Sequence, residues 1–178
     1  MIKGVSFLDA DNLGYRDQKG RIHLNKVAPF VDLKKVPPSI FAVDNCYILR
    51  DRPVSFREAS EVLENDTAKG GYRILLMRGC PFSCTYCSNN ALKNKFKNSG
   101  KILRYSELEG ILQELEHGMK LISTMKLVRA DEDDFFAQSR ESIEMFCSQY
   151  KKRINLPLRV NATILNMTPE KIDILINS

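Results

Sequence analysis

Three cysteines within eight residues are the feature of this sequence best suited to chemistry. Cys80, Cys84 and Cys87 stand as C-x3-C-x2-C in Gly-Cys-Pro-Phe-Ser-Cys-Thr-Tyr-Cys-Ser-Asn-Asn, residues 79–90. Thiolates are the usual protein ligands of iron–sulfur clusters. Three of them reach three corners of a [4Fe–4S] cube and leave its fourth iron without a protein ligand. An open iron of that kind accepts an outside molecule, as the open position of a catalytic zinc does. Two other uses of these residue types stay open. A structural zinc knuckle would borrow a fourth ligand from His23, His117, Cys46 or Cys147, none of them at finger spacing. An electron-transfer module without catalysis would take its fourth ligand from Cys46 or Cys147. Cys147 falls on an apolar helical stripe and reads as core.

Strands and helices must position this cluster. Tyr72 to Met77 is a short apolar run that delivers Cys80 at its end, and it reads as a first strand. A helix follows over about 105–118. Ser106 and Glu109 form a capping-box pair, Leu108, Ile111, Leu112 and Leu115 share one face, and Gly118 marks the stop. Met125 to Ala130 reads as a second strand. Ile143, Phe146, Cys147 and Tyr150 carry the next helix, and Leu158 to Ile164 the third strand. Thr168 caps a last helix with Pro169 at its first position and a stripe of Ile172, Leu175 and Ile176. Strand–helix alternation implies an α/β fold with a parallel sheet. Ahead of it, residues 15–22 suggest a hairpin with a Gly-containing turn, and Asp32 to Pro38 an extended connector set by adjacent prolines. Ser55 and Glu58 open a short helix over 55–64. The chain thus divides into residues 1–71, with hairpin, connector and short helix, and residues 72–178, the βα core.

The cysteine spacing, with Tyr86 just before the last cysteine, resembles the radical S-adenosylmethionine (SAM) superfamily. The wider Arg-Gly-Cys-Pro-Phe-Ser-Cys-Thr-Tyr-Cys-Ser, residues 78–88, is similar to the branch that carries a cobalamin (B12)-binding domain. The resemblance implies a [4Fe–4S] cluster on Cys80, Cys84 and Cys87, with SAM chelating the open iron. It implies reductive cleavage of SAM to a 5′-deoxyadenosyl radical that attacks a small-molecule substrate, an external flavodoxin- or ferredoxin-like electron donor, and cobalamin in an intact parent. Tyr86 resembles the aromatic beside the SAM adenine. Asp131 and Glu132 fall where many family members have Gly-Gly-Glu, so Glu132 would receive the SAM amino group. The bland reading of the acidic run Asp131–Asp134 is that it favours the N-terminus of the next helix. The family barrel usually has six βα units, and this chain supplies three over roughly residues 10–178. The expectation is therefore a partial (βα) barrel, a fragment of such a protein.

Composition sets the frame. The chain has 178 residues, room for one ordinary domain and a small appendage, with 43% apolar residues and a net charge of +5. No apolar run is long enough to span a membrane, and the N-terminus lacks a signal-peptide pattern, so cytoplasm is expected. Lys93, Lys95, Lys97, Lys101 and Arg104 are interleaved with one aromatic, Phe96. A single ring is thin for a nucleic-acid groove, and the stretch reads as a solvated loop. Arg159 and Asn161 point to one side of the third strand and read as a solvated or sheet-satisfying polar pair.

Overall fold

The computed structural model describes residues 7–38, 47–49, 51–55, 71–122 and 125–177. The short helix expected over 55–64 lies, apart from Ser55, outside the described residues, as does Cys46. Contacts gather the chain into two compact units, residues 1–31 with 83–102 and residues 32–82 with 103–178.

The first unit holds the expected hairpin. Strand β1 (Gly14–Arg16) pairs antiparallel with β2 (Ile22–Leu24), Tyr15 opposite His23. The turn closes on Asp17, whose Oδ1 accepts the backbone N–H of Lys19 and of Arg21 at 2.9 Å each. Gly20 takes φ +79, the left-handed region that glycine enters freely. Helix α1 (Ser88–Lys95) follows the cysteine motif. Phe30 N–H donates to Ser99 O at 2.6 Å, and the Phe30 and Phe96 rings lie 6.1 Å apart.

The second unit opens on a 3-10 turn, Leu33–Lys35, capped by Asp32 Oδ1, which accepts from Lys34 N–H. The connector expected to be extended is thus broken by this turn, with extended backbone at Asp32 before it and at Val36 after it, ahead of Pro37, where the proline ring disfavours helix. A small antiparallel hairpin, β3 (Tyr47–Leu49) and β4 (Pro53–Ser55), follows.

The core of this unit is a parallel sheet of β5 (Gly71–Ile74), β8 (Leu127–Ala130) and β9 (Leu158–Val160), in that order. The first strand is shorter than expected. The sheet ladder stops at Ile74, and Met77–Arg78 forms a separate strand, β6, paired antiparallel with β7 (Arg104–Tyr105). The chain bends between them because Leu75 and Leu76 bond elsewhere: Ser106 Oγ donates to Leu75 O, and Ser106 N–H to Leu76 O. β9 likewise ends at Val160 rather than Ile164, since Asn161 O and Thr163 N–H bond to the loop after β8.

Each strand of the sheet leads into a helix: α2 (Leu108–Leu121), α3 (Arg140–Arg153) and α4 (Pro169–Asn177). Tyr72, Ile74, Val128 and Ala130 are buried on one sheet face with Ile111, Leu112 and Leu115 of α2 and Ile143, Phe146, Cys147 and Tyr150 of α3. Each large side chain so buried contributes about 1.5–3 kcal/mol. The expected capping box of α2 does not form. Glu107 stands at the cap, and Ser106 is occupied by Leu75. Gly118 is no stop either. It lies inside α2, where an added Cβ would sit 3.1 Å from the Tyr72 ring, so the close approach of ring to helix needs glycine. In α4, Ile174 packs on the core with Ile172 and Leu175, while Ile176 is exposed.

Candidate functional site

Cys80 follows β6 by one glycine, Gly79, which has φ +96. Cys84 is exposed, and Cys80 and Cys87 are half-buried. None is in a disulfide. Cys84 O accepts Cys87 N–H at 3.1 Å, and Cys87 O accepts Asn90 N–H at 3.1 Å, so Cys87 stands at the cap of α1. The unpaired N–H groups of a helix start favour a negative group nearby. Tyr86 is 92% exposed, its ring turned to solvent one residue before Cys87.

Among the described residues, no three His, Cys, Asp or Glu side chains converge as on a single metal ion. A cube takes its thiolates one to an iron, so convergence on one point is not what it requires. The donor set fits it: three cysteines outside disulfides on one short segment. Of the candidate fourth ligands, Cys46 lies outside the described residues, His117 Nε2 is buried with no hydrogen-bond partner among them, and the other two are engaged elsewhere. His23 stacks on Tyr15 with ring centroids 4.9 Å apart, and its Nε2 lies 3.0 Å from Asp17. Cys147 is buried in the core, as expected.

The acidic run after β8 is divided by its surroundings. Asp131 continues the ladder, its N–H donating to Ile74 O at 3.0 Å, and its carboxylate pairs with Arg73 and, at 3.5 Å, with Arg129. Glu132 is 2% exposed. Leu76 N–H donates to its Oε2 at 3.4 Å, while Oε1 is buried with no hydrogen-bond partner among the described residues. Loss of water around this carboxylate pushes its pKa up to about 7. Asp134 is fully buried and accepts from Phe136 N–H and Thr163 N–H at 3.2 Å and from Asn166 Nδ2 at 2.7 Å. It ties the loop after β8 to the loop after β9.

The helix-dipole reading of these acids does not hold for α3, although Asp134 caps the 3-10 turn that precedes it. α3 starts at Arg140 with Ser139 Oγ accepting Ser142 N–H, beyond the 3-10 turn Phe135–Ala137. Asn161 is the expected sheet-satisfying group, its Nδ2 donating to Glu132 O at 3.3 Å. The structural role of Asp134 was not legible in sequence, because two of its three partners lie about thirty positions on. Separately, a cavity of about 450 Å³ lies among Arg73, Arg78, Ser106, Gly110, Glu114 and Asp131.

The architecture of the second unit is an α/β fold in which consecutive parallel strands are spatial neighbours and helices pack on one sheet face. The backbone of the chain is similar to structures of the cobalamin-dependent S-adenosylmethionine radical enzyme OxsB. The form with aqua-cobalamin bound matches with a TM-score of 0.59 at 18% identity, over 97% of this chain and 22% of that one. The apo, selenomethionine-labelled form gives 0.57 at 16%, over 97% and 22%. The form with aqua-cobalamin and S-adenosylmethionine gives 0.56 at 18%, over 86% and 19%. This chain thus spans about a fifth of the length of those proteins, and the likeness establishes a shared fold. No protein-family model and no curated protein matches the sequence. Among the described residues, no helix is long and apolar enough to cross a membrane.

Proposed function

We propose that this chain is a radical SAM iron–sulfur protein of the cobalamin-associated branch, its three βα units forming part of a (βα) barrel. Cys80, Cys84 and Cys87 would hold a [4Fe–4S] cluster, leaving one iron for the amino and carboxylate groups of SAM. When bound, the cluster supplies the electron that cleaves SAM to methionine and a 5′-deoxyadenosyl radical. The fold likeness to a cobalamin-dependent radical enzyme supports the reading. The observation that carries it is Glu132, a buried carboxylate with a vacant oxygen just past the C-terminal end of the middle strand. Ligands of parallel α/β sheets bind at that end.

In this reading Glu132 orients the SAM amino group, with Asp131 beside it, and Tyr86 covers the adenine. An N–H of the amino group donated to Oε1 would draw the Glu132 proton off, since a hydrogen bond to the charged form favours the ionised acid. SAM affinity would therefore rise from pH 6 to pH 8. A flavodoxin- or ferredoxin-like protein would deliver the electron, and the substrate would be a small molecule.

The test is anaerobic reconstitution with iron and sulfide, then EPR of the reduced protein with and without SAM. The reading requires a [4Fe–4S]+ signal that changes on adding SAM. A signal indifferent to SAM, or zinc retained in place of iron, overturns it.

A further inference from the structure

The register of the parallel sheet aligns three arginines. Arg73 of β5 is paired with Arg129 of β8, and Arg129 with Arg159 of β9. Side chains of register partners stand on the same sheet face. The residues on either side of them, Tyr72, Ile74, Val128 and Ala130, are buried on the opposite face beneath the helices. The three arginines therefore form one row on the sheet face opposite the described helices, on strands about 4.8 Å apart. Like charges directly opposite one another on neighbouring strands oppose folding.

Among the described residues, one carboxylate answers them. Asp131 pairs with Arg73 and with Arg129, from the Arg73 end of the row. At the other end no described residue pairs with the charge of Arg159. Arg129 Nε is a buried donor without an acceptor among the described residues, in a side chain that is 21% exposed. Arg159 is exposed and has no hydrogen bond or ion pair among the described residues.

We infer that the interval between Arg129 and Arg159 binds the phosphate group of a small-molecule ligand. Two guanidinium forks on neighbouring strands offer donors from two directions. A tetrahedral phosphate dianion brings two negative charges and at least three terminal oxygens out of one plane, so it matches two forks better in charge and direction than a planar monoanionic carboxylate. Arg129, held by Asp131, is oriented before the ligand arrives. The nearby cavity is not this site, because Glu107, Glu114 and Asp131 outnumber Arg73 and Arg78 in its lining. The inference uses no cysteine and does not rest on the proposed cluster.

Titration of the full chain with inorganic phosphate at pH 8 and low ionic strength tests it, followed by calorimetry and by the arginine Nε–Hε NMR signals. One phosphate should bind per chain and shift the Arg129 signal. Arg159→Gln, at an exposed position, should weaken binding about tenfold or more, the loss of one charge-assisted contact. Lys152→Gln, which removes the same charge from exposed α3 surface, should leave it unchanged. The inference fails if phosphate does not bind, if both variants weaken it alike, if acetate binds as tightly, or if an oligonucleotide binds while phosphate does not.

Discussion

Glu132→Gln should make the protein more stable above neutral pH. The native carboxyl has a pKa of about 7 against an ordinary 4.5, because burial penalises its charged form. Between these two values the folded chain keeps a proton that the unfolded chain has released. The folded state then binds more protons, so stability falls as pH rises through that window. The contribution is fully present below pH 4.5 and lost above about 7. A shift of roughly 2.5 units at 1.36 kcal/mol each makes the loss about 3 kcal/mol.

Glutamine mimics the protonated acid. Its carbonyl keeps the Leu76 N–H bond, and its amide replaces the orphaned oxygen. The variant should come within about 1 kcal/mol of the wild type at pH 5 and exceed it by about 2–3 kcal/mol at pH 8. Urea unfolding followed by far-UV circular dichroism, on metal-free protein at pH 5, 6, 7 and 8, measures this. Glu109 and Glu116 do not blur the window, because the Arg153 hydrogen bonds hold both below the ordinary value. Parallel pH profiles for wild type and variant would refute the reasoning. The same variant should bind SAM more weakly, so it would gain stability while losing ligand.

Asp134→Ala strands the three donors that converge on the carboxylate and should cost about 3 kcal/mol or more, read by the same unfolding assay. Cys147→Ala should keep the iron content of reconstituted protein and cost about 1 kcal/mol through a small core void; Cys80→Ala should lose the iron, and loss of iron from Cys147→Ala would instead point to four protein ligands. Arg153 bridges α2 and α3 by bonding Glu109 at 2.6 Å and Glu116 at 2.7 Å. The depressed acids contribute stability that is present above their ordinary pKa and lost as pH falls. Arg153→Met should therefore destabilise at pH 7 and do so less at pH 3, and an equal effect at both would deny the ion pairs a role.

The helices and strands that face the core were legible because their period is local. Ile111, Leu112 and Leu115, or Ile143, Phe146 and Tyr150, announce a buried stripe whatever lies on the far side, and all are buried. Errors fell where a polar residue had two possible partners. Ser106 with Glu109 has the spacing of a capping box, yet the hydroxyl bonds to Leu75 O, thirty-one positions back. Gly118 has the look of a helix stop, yet its bare Cα admits the Tyr72 ring. Local spacing cannot choose between a near partner and a distant one when both satisfy the same group.

The same limit explains why the candidate site was half legible. The cysteines are adjacent in sequence, so their spacing alone raises the chemistry. Glu132 was reached only by aligning strand ends, and its burial and vacant oxygen come from the chain folded around it. The arginine row was invisible for a stronger reason. Arg73, Arg129 and Arg159 are separated by two crossovers of different length, and a slip of one residue in either pairing would turn one arginine toward the helices. Burial of Ile74, Val128 and Ala130 beneath the helices forbids that slip. The apolar alternation that builds the core therefore also places the charges together, and a sequence reading that uses the alternation to find strands has no access to the register it enforces.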